Sequence, residues 1–157
     1  MSENPSDDAV TTGAEPIRTR ATLNGGGGRI AEARELAAGF LARARVEHGV
    51  PVSARAVDLT QLVVSELVTN AHKYAPGPVL LDLRVVGAMV EVTVRDGDPG
   101  LPVARSADAG RVGQHGLEIV MAVAHAFEVH REPVGKRVTA RIALSDEPGD
   151  ASRGQFA

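Results

Sequence analysis

The chain contains no cysteine, which removes disulfide frameworks, thiolate-ligated zinc, iron–sulfur clusters and thiol nucleophiles together. Tryptophan is also absent and aromatic residues make up only 3% of the sequence, so a core must be assembled from valine, leucine, isoleucine and alanine. No apolar run approaches the roughly 18 residues that would span a bilayer. Positive charge is not in excess: 17 Lys plus Arg stand against 20 Asp plus Glu, a formal net charge of −3. That balance favours neither nucleic acid nor a basic membrane-surface patch. The opening residues, Met1 to Asp8, are polar and acidic, unlike a signal peptide. The expectation is a soluble, cytoplasmic protein. What is present is ordinary for a globular chain: 157 residues, 43% of them hydrophobic and 24% charged, enough for one domain with a real core.

Residues 1–15 are rich in Ser, Asp, Thr, Glu and Pro and read as a disordered tail. Residues 16–145 carry the periodic patterns of a single domain, and residues 146–157 read as a flexible C-terminal tail. Ile17, Thr19, Ala21 and Leu23 alternate with polar residues, which suggests an edge strand. Gly25 to Gly28 resemble a phosphate loop only superficially, because no Gly-Lys-Ser/Thr follows, and they read as a connector. From Arg29 to about Glu47, Ile30, Ala33, Ala37, Phe40, Leu41 and Ala44 recur at helical spacing. Gly49 and Pro51 end that helix. Ser53 is positioned to cap a second helix running to about Tyr74. Val79, Leu81, Leu83 and Val85, then Val90, Val92 and Val94, alternate with polar residues across a Gly87-Ala88 turn, a β-hairpin. Residues 96–116 are glycine- and proline-bearing loop. Leu117 to about Ala126 reads as a short helix, and Phe127–Arg131 with Arg137–Leu144 as a last hairpin. Hairpin strands with helices grouped apart imply an α/β two-layer sandwich, helices over a mixed, mostly antiparallel sheet. Regular strand–helix alternation is missing, which excludes a doubly wound nucleotide fold.

Three stretches could carry chemistry. In the second helix Glu66, Asn70 and Lys73 stand at i, i+4 and i+7, on one side of an otherwise apolar segment. They are either a surface stripe with an ordinary salt bridge or the lining of a wet polar pocket, since burying them without partners costs several kcal/mol. The second stretch is Arg95-Asp96-Gly97-Asp98-Pro99-Gly100 at a strand end. The third is Gly113-Gln114-His115-Gly116-Leu117-Glu118, where a glycine-bearing loop enters a helix whose N-terminus favours anions. Other candidates fall away. Gly135-Lys136-Arg137 lacks the upstream glycine and the Ser/Thr of a P-loop. The histidines form no His-Glu-x-x-His, His115 with Glu118 reads as a solvent-facing pair, and Ser65 lacks a nucleophile elbow.

Taken together and in order, the three stretches resemble the N box and the two glycine boxes of the GHKL superfamily, the histidine-kinase-like ATPases. The resemblance covers roughly residues 17–144. The segment Glu66-Leu67-Val68-Thr69-Asn70-Ala71-His72-Lys73-Tyr74 is most similar to the stand-alone anti-sigma factor serine/threonine kinases, and the chain shows no dimerisation or phosphoacceptor segment of its own. The resemblance implies a Bergerat-type ATP-binding fold that uses ATP and Mg²⁺. It implies Asn70 as the Mg²⁺ ligand, Glu66 as the general base toward a hydroxyl or water, Lys73 against phosphate oxygens, and Tyr74 either flanking the base or simply packing. Asp96 would accept from the adenine amino group, and Gly100 would let backbone pass the base. Gly113 and Gly116 would shape a phosphate cradle ahead of Leu117, His115 would touch phosphate, and residues 101–115 would form a mobile ATP lid. Two positions depart from the pattern: Asp98 and Gln114 each stand where a glycine is usual, while Asp96 and Gly100 are retained. The implied function is a Mg-ATP-dependent serine/threonine kinase acting as an anti-sigma factor. Its partners would be an anti-anti-sigma protein and a sigma factor, with no nucleic acid or membrane partner and a homodimer open to it. The alternatives are a non-catalytic ATP-binding module that gates a protein interaction, and a unit that phosphorylates histidine in trans.

Overall fold

The computed structural model describes residues 16–24, 28–74, 77–96, 117–133 and 135–145, with the side chains of residues 72–74 outside the description. The elements are β1 (Arg18–Leu23), α1 (Arg29–His48), α2 (Ala54–Tyr74), β2 (Val79–Val86), β3 (Met89–Asp96), α3 (117–123), β4 (Ala126–Arg131) and β5 (Lys136–Ala143). The strands form one sheet in the order β1-β2-β3-β5-β4. All four described pairings are antiparallel, so among the described residues the sheet is antiparallel throughout. This is the expected two-layer α/β sandwich. The expected tails, residues 1–15 and 146–157, lie outside the described residues, as do residues 25–27 of the glycine run.

Local chemistry explains the helix limits. Ser53 accepts the Ala56 backbone N–H at 2.9 Å and starts α2 as an N-cap. Gly49 adopts φ 69° after α1, and the N–H groups of Gly49 and Val50 bond back to the carbonyls of Arg45 and Ala44, a left-handed C-terminal stop that glycine accepts without strain. The β2–β3 hairpin turns at Gly87 and Ala88, with Val86 paired to Met89 and Gly87 at φ 61°.

One burial pattern and one boundary differ from the sequence expectation. In the first turn of α1, Ile30 is 38% exposed while Arg29 is buried. The guanidinium of Arg29 reaches the Gly77 carbonyl at 3.1 and 3.2 Å, so a long-range polar partner, invisible to helical periodicity, decides which side chain turns inward. The third helix stops at residue 123 rather than near Ala126. There the His125 N–H donates to the Arg141 carbonyl at 2.7 Å, drawing the chain into the sheet.

The two faces of the sheet are chemically opposite. Leu81, Leu83, Val90, Val92, Val94, Ala140 and Ile142 project toward the helices and are buried with Val63, Val64, Leu67 and Val68 of α2 and Ala33, Ala37, Phe40 and Leu41 of α1. The other face carries carboxylates clasped by arginines. Arg18 holds Asp82 in a two-pronged contact at 3.1 and 2.8 Å, and Arg20 adds a third bond. Glu91 lies between its cross-strand neighbours Arg84 and Arg141, at 2.7 and 2.9 Å. Burial pushes both carboxyls upward in pKa, but the arginine hydrogen bonds and charges outweigh it, and each is held below its ordinary value.

Candidate functional site

Register gathers the candidate residues of the sheet at one end of it. Leu23 pairs with Val79, Leu80 with Arg95, and Asp96 with Lys136. The end of β1, the start of β2, the end of β3 and the start of β5 therefore lie side by side. α2 delivers its C-terminal turns to the same end, because Tyr74 closes the helix shortly before Val79 opens β2. Arg29 ties the start of α1 there too, through Gly77.

Asn70 and Glu66 lie one turn apart on α2, in the part of the helix nearest this end. Asn70 is only 6% exposed. Its Oδ1 is buried and accepts no hydrogen bond among the described residues. A buried amide oxygen without a donor is costly, about 1–3 kcal/mol, and in a native fold it asks for a reason. Glu66 is half-buried, accessible enough to meet a reacting group. Of the two sequence alternatives for this helix face, the wet polar pocket fits these positions better than a solvated stripe.

Asp96 closes β3 in the same alternation as Val90, Val92 and Val94, which turns its side chain toward the helix layer. It is 6% exposed. Its Oδ1 accepts the Lys136 backbone N–H at 3.3 Å and its Oδ2 accepts from Lys136 Nζ at 3.0 Å. Sequence reasoning placed Asp96 correctly at a strand end but passed over Lys136, which it met only as a failed P-loop fragment. The usable cue was weak: a lysine directly after a glycine turn, at the head of the last strand. Gly135, at φ 82°, makes that turn.

Other predicted site residues divide as follows. Leu117 opens α3 half-buried, packed against the core. Lys73 and Tyr74 lie in the last turn of α2, their side chains outside the description. Gly100, Gly113, His115, Gly116 and the departures Asp98 and Gln114 fall outside the described residues, as does the predicted lid. Ser65 is occupied structurally, donating to the Gln61 carbonyl and accepting from Arg34. Two cavities of about 270 and 290 Å³ are lined by described residues around the N-terminal turns of α2, the end away from Asn70. They include none of the candidate residues.

Among the described residues no cluster of three or more His, Asp or Glu side chains could hold a metal by itself. Mg²⁺ carried by a phosphate ligand asks the protein for only one or two hard oxygens. The orphaned Oδ1 of Asn70 is such an oxygen, so the residues present fit the group.

A helix pair over an antiparallel sheet, with a buried amide oxygen on a helix and a buried carboxylate at a strand end, makes an α/β sandwich with candidate polar groups gathered at one end. A family model for the histidine kinase-like ATPase domain matches residues 28–142, and the chain belongs to that family. It is thus an ATP-binding module of the GHKL superfamily, a class of ATP-dependent phosphotransfer and ATPase domains. No curated protein matches the chain. No described helix is long and apolar enough to cross a membrane.

Proposed function

We propose that the chain is a Mg-ATP-dependent serine/threonine protein kinase acting as an anti-sigma factor, which phosphorylates an anti-anti-sigma partner. The observation that carries the reading is the buried, unsatisfied Oδ1 of Asn70 one turn beyond a half-buried Glu66. The kinase branch is suggested by the Glu66-Leu67-Val68-Thr69-Asn70-Ala71 pattern, and the partners follow from that same resemblance. Asn70 would offer its amide oxygen to Mg²⁺, and Asp96 would accept from the adenine amino group. Bound Mg²⁺ supplies neutralisation of charge on the phosphate oxygens. Glu66 acts on the acceptor hydroxyl: its carboxylate takes the proton as the hydroxyl oxygen bonds to the γ-phosphorus and the bond to the β-phosphate oxygen breaks. The products are a phosphoserine or phosphothreonine and ADP.

The test separates binding from chemistry. Glu66→Gln keeps shape and hydrogen bonding, so it binds Mg-ATP nearly as wild type while single-turnover transfer falls about 10²–10⁴-fold. Full transfer by that variant removes Glu66 from the mechanism. An acid-labile phosphoproduct identifies phosphohistidine instead. Tight ATP binding with no transfer to any partner identifies a regulatory module.

A further inference from the structure

On the outer face of the sheet, register sets side chains of neighbouring strands in rows. In one row Glu91 of β3 stands between Arg84 of β2 and Arg141 of β5 and accepts from both, at 2.7 and 2.9 Å. Another row runs Leu80, Arg95, Arg137 and His130, with no carboxylate between its two arginines. Like charges directly opposite one another destabilise a sheet. The carboxylate paired with them among the described residues is that of Glu132, the residue after β4. Its Oε1 lies 3.5 Å from Arg95 Nε and its Oε2 3.6 Å from Arg137 Nε. These are ion-pair separations, too long for good hydrogen bonds, and Arg137 Nε is buried with no hydrogen-bond partner among the described residues. Elsewhere on this face Asp82 and Glu91 hold their arginines at 2.7 to 3.1 Å. His130 is engaged by Glu128 at 2.9 Å. The side chains of Arg95 and Arg137 remain 36% and 34% exposed, so solvent reaches this less tightly held pair.

We propose that Arg95 and Arg137 form a receptor for a phosphate monoester carried on a protein, a phosphoserine or phosphothreonine side chain presented to the open face of the sheet. The planar fork of arginine bonds two phosphate oxygens at once. A phosphate monoester brings three acceptor oxygens and close to two negative charges at neutral pH, enough to engage both forks and balance both cations. Glu132 reaches each arginine with a single oxygen and hydrogen-bonds neither, so it offsets charge without satisfying the donors. The two arginines line neither of the cavities described above. Small ligands are ordinarily enclosed over most of their surface, whereas a flat sheet face admits a side chain projecting from another protein. Nucleic acid would need a run of uncompensated cations, and the arginines of the neighbouring rows are compensated by Asp82 and Glu91. The site lies on the opposite face of the sheet from Asp96 and is independent of the reaction proposed above.

The test titrates the nucleotide-free, ¹⁵N-labelled full chain with a glycine-flanked phosphoserine peptide and follows the arginine Nε–Hε signals. Those of Arg95 and Arg137 are expected to shift and saturate. The affinity should exceed that for the serine and glutamate versions of the peptide by about tenfold or more, the usual scale for charge-assisted hydrogen bonds. Arg95→Gln and Arg137→Gln are each expected to lose about tenfold or more, and Arg95→Lys, which keeps the charge without the fork, recovers only part. Glu132→Gln removes the competing carboxylate and is expected to tighten binding, which a merely structural ion pair would not do. Arg84→Gln, on the same face, is expected to change the affinity by less than about twofold, because Arg84 is committed to Glu91 and touches no part of the proposed site. Equal binding of the phosphoserine and glutamate peptides overturns the proposal, as does full affinity in both folded glutamine variants. Inorganic phosphate that binds more tightly than the phosphopeptide overturns the protein-borne source. A single-stranded oligonucleotide that outcompetes the peptide at the same signals identifies nucleic acid and overturns it too. The titration contains no nucleotide and reads no transfer, so its failure and the failure of the ATP-site reading are separate results.

Discussion

Replacing Asn70 by leucine should make the ligand-free protein more stable while removing most of its response to Mg-ATP. The buried Oδ1 accepts nothing among the described residues, and such an acceptor costs about 1–3 kcal/mol. Leucine keeps the branch at Cγ, removes the unsatisfied oxygen and is the better helix former by a few tenths of a kcal/mol. Its methyl groups must be accommodated at a position only 6% exposed, and that takes back part of the gain. The net expectation is a stabilisation of about 1 kcal/mol, or about 2–4 °C in Tm for a chain of this size. Mg-ATP reverses the ranking. At a concentration 100 times its Kd a ligand adds about 2.7 kcal/mol to a protein that binds it, and Asn70→Leu has lost the oxygen proposed to meet the metal. Urea melts with and without Mg-ATP should therefore cross: the variant more stable alone, wild type more stable with ligand. A variant destabilised by 2 kcal/mol or more when ligand-free, or shifted by Mg-ATP as much as wild type, refutes the reasoning.

Asp96→Asn should weaken ATP binding by about 1–3 kcal/mol while the protein stays folded, checked by calorimetry and circular dichroism. Asp82 and Glu91 have folded pKa values held below their ordinary ones. Their stabilisation is therefore complete above the usual carboxylate range near pH ~4 and is lost as pH falls through the folded values. Glu91→Gln should flatten the loss of stability between about pH 5 and pH 2, followed by urea melts across that range; an unchanged slope would show that the arginine clasp contributes nothing. Gly49→Ala meets no atom within 4 Å at the added Cβ but must hold φ 69°, so it should cost about 1–2 kcal/mol from backbone strain alone.

The helices and hairpins were readable because their signals are local. Ser53 and Gly49 punctuate α1 and α2 through bonds to residues three or four positions away, and the β2–β3 alternation needs only its two-residue turn. What periodicity cannot encode is adjacency between distant elements. Arg29 turns inward because Gly77, far along the chain, offers its carbonyl. Asp82 and Glu91 read as solvent-facing alternates, yet each is 7% exposed beneath flanking arginines. The adjacency of β3 and β5, which sets Lys136 against Asp96, has no local signature at all. Glu66, Asn70 and Asp96 were legible as candidates because polar residues on an apolar helix and at a strand end need an explanation. Lys136 was not, because its meaning depends on a cross-strand neighbour forty positions away.

The most direct test of an ATP site between α2 and the ends of β3 and β5 is calorimetric titration of ATP into wild type and Asn70→Ala, each with Mg²⁺ and with chelator. The account predicts that Mg²⁺ tightens ATP binding to wild type by at least about tenfold, the scale of a charge-assisted contact. It predicts that Asn70→Ala loses most of that Mg²⁺ dependence while retaining the weaker metal-free binding held by Asp96. ATP binding that is indifferent to Mg²⁺ in wild type, or equally Mg²⁺-dependent in both proteins, would contradict it.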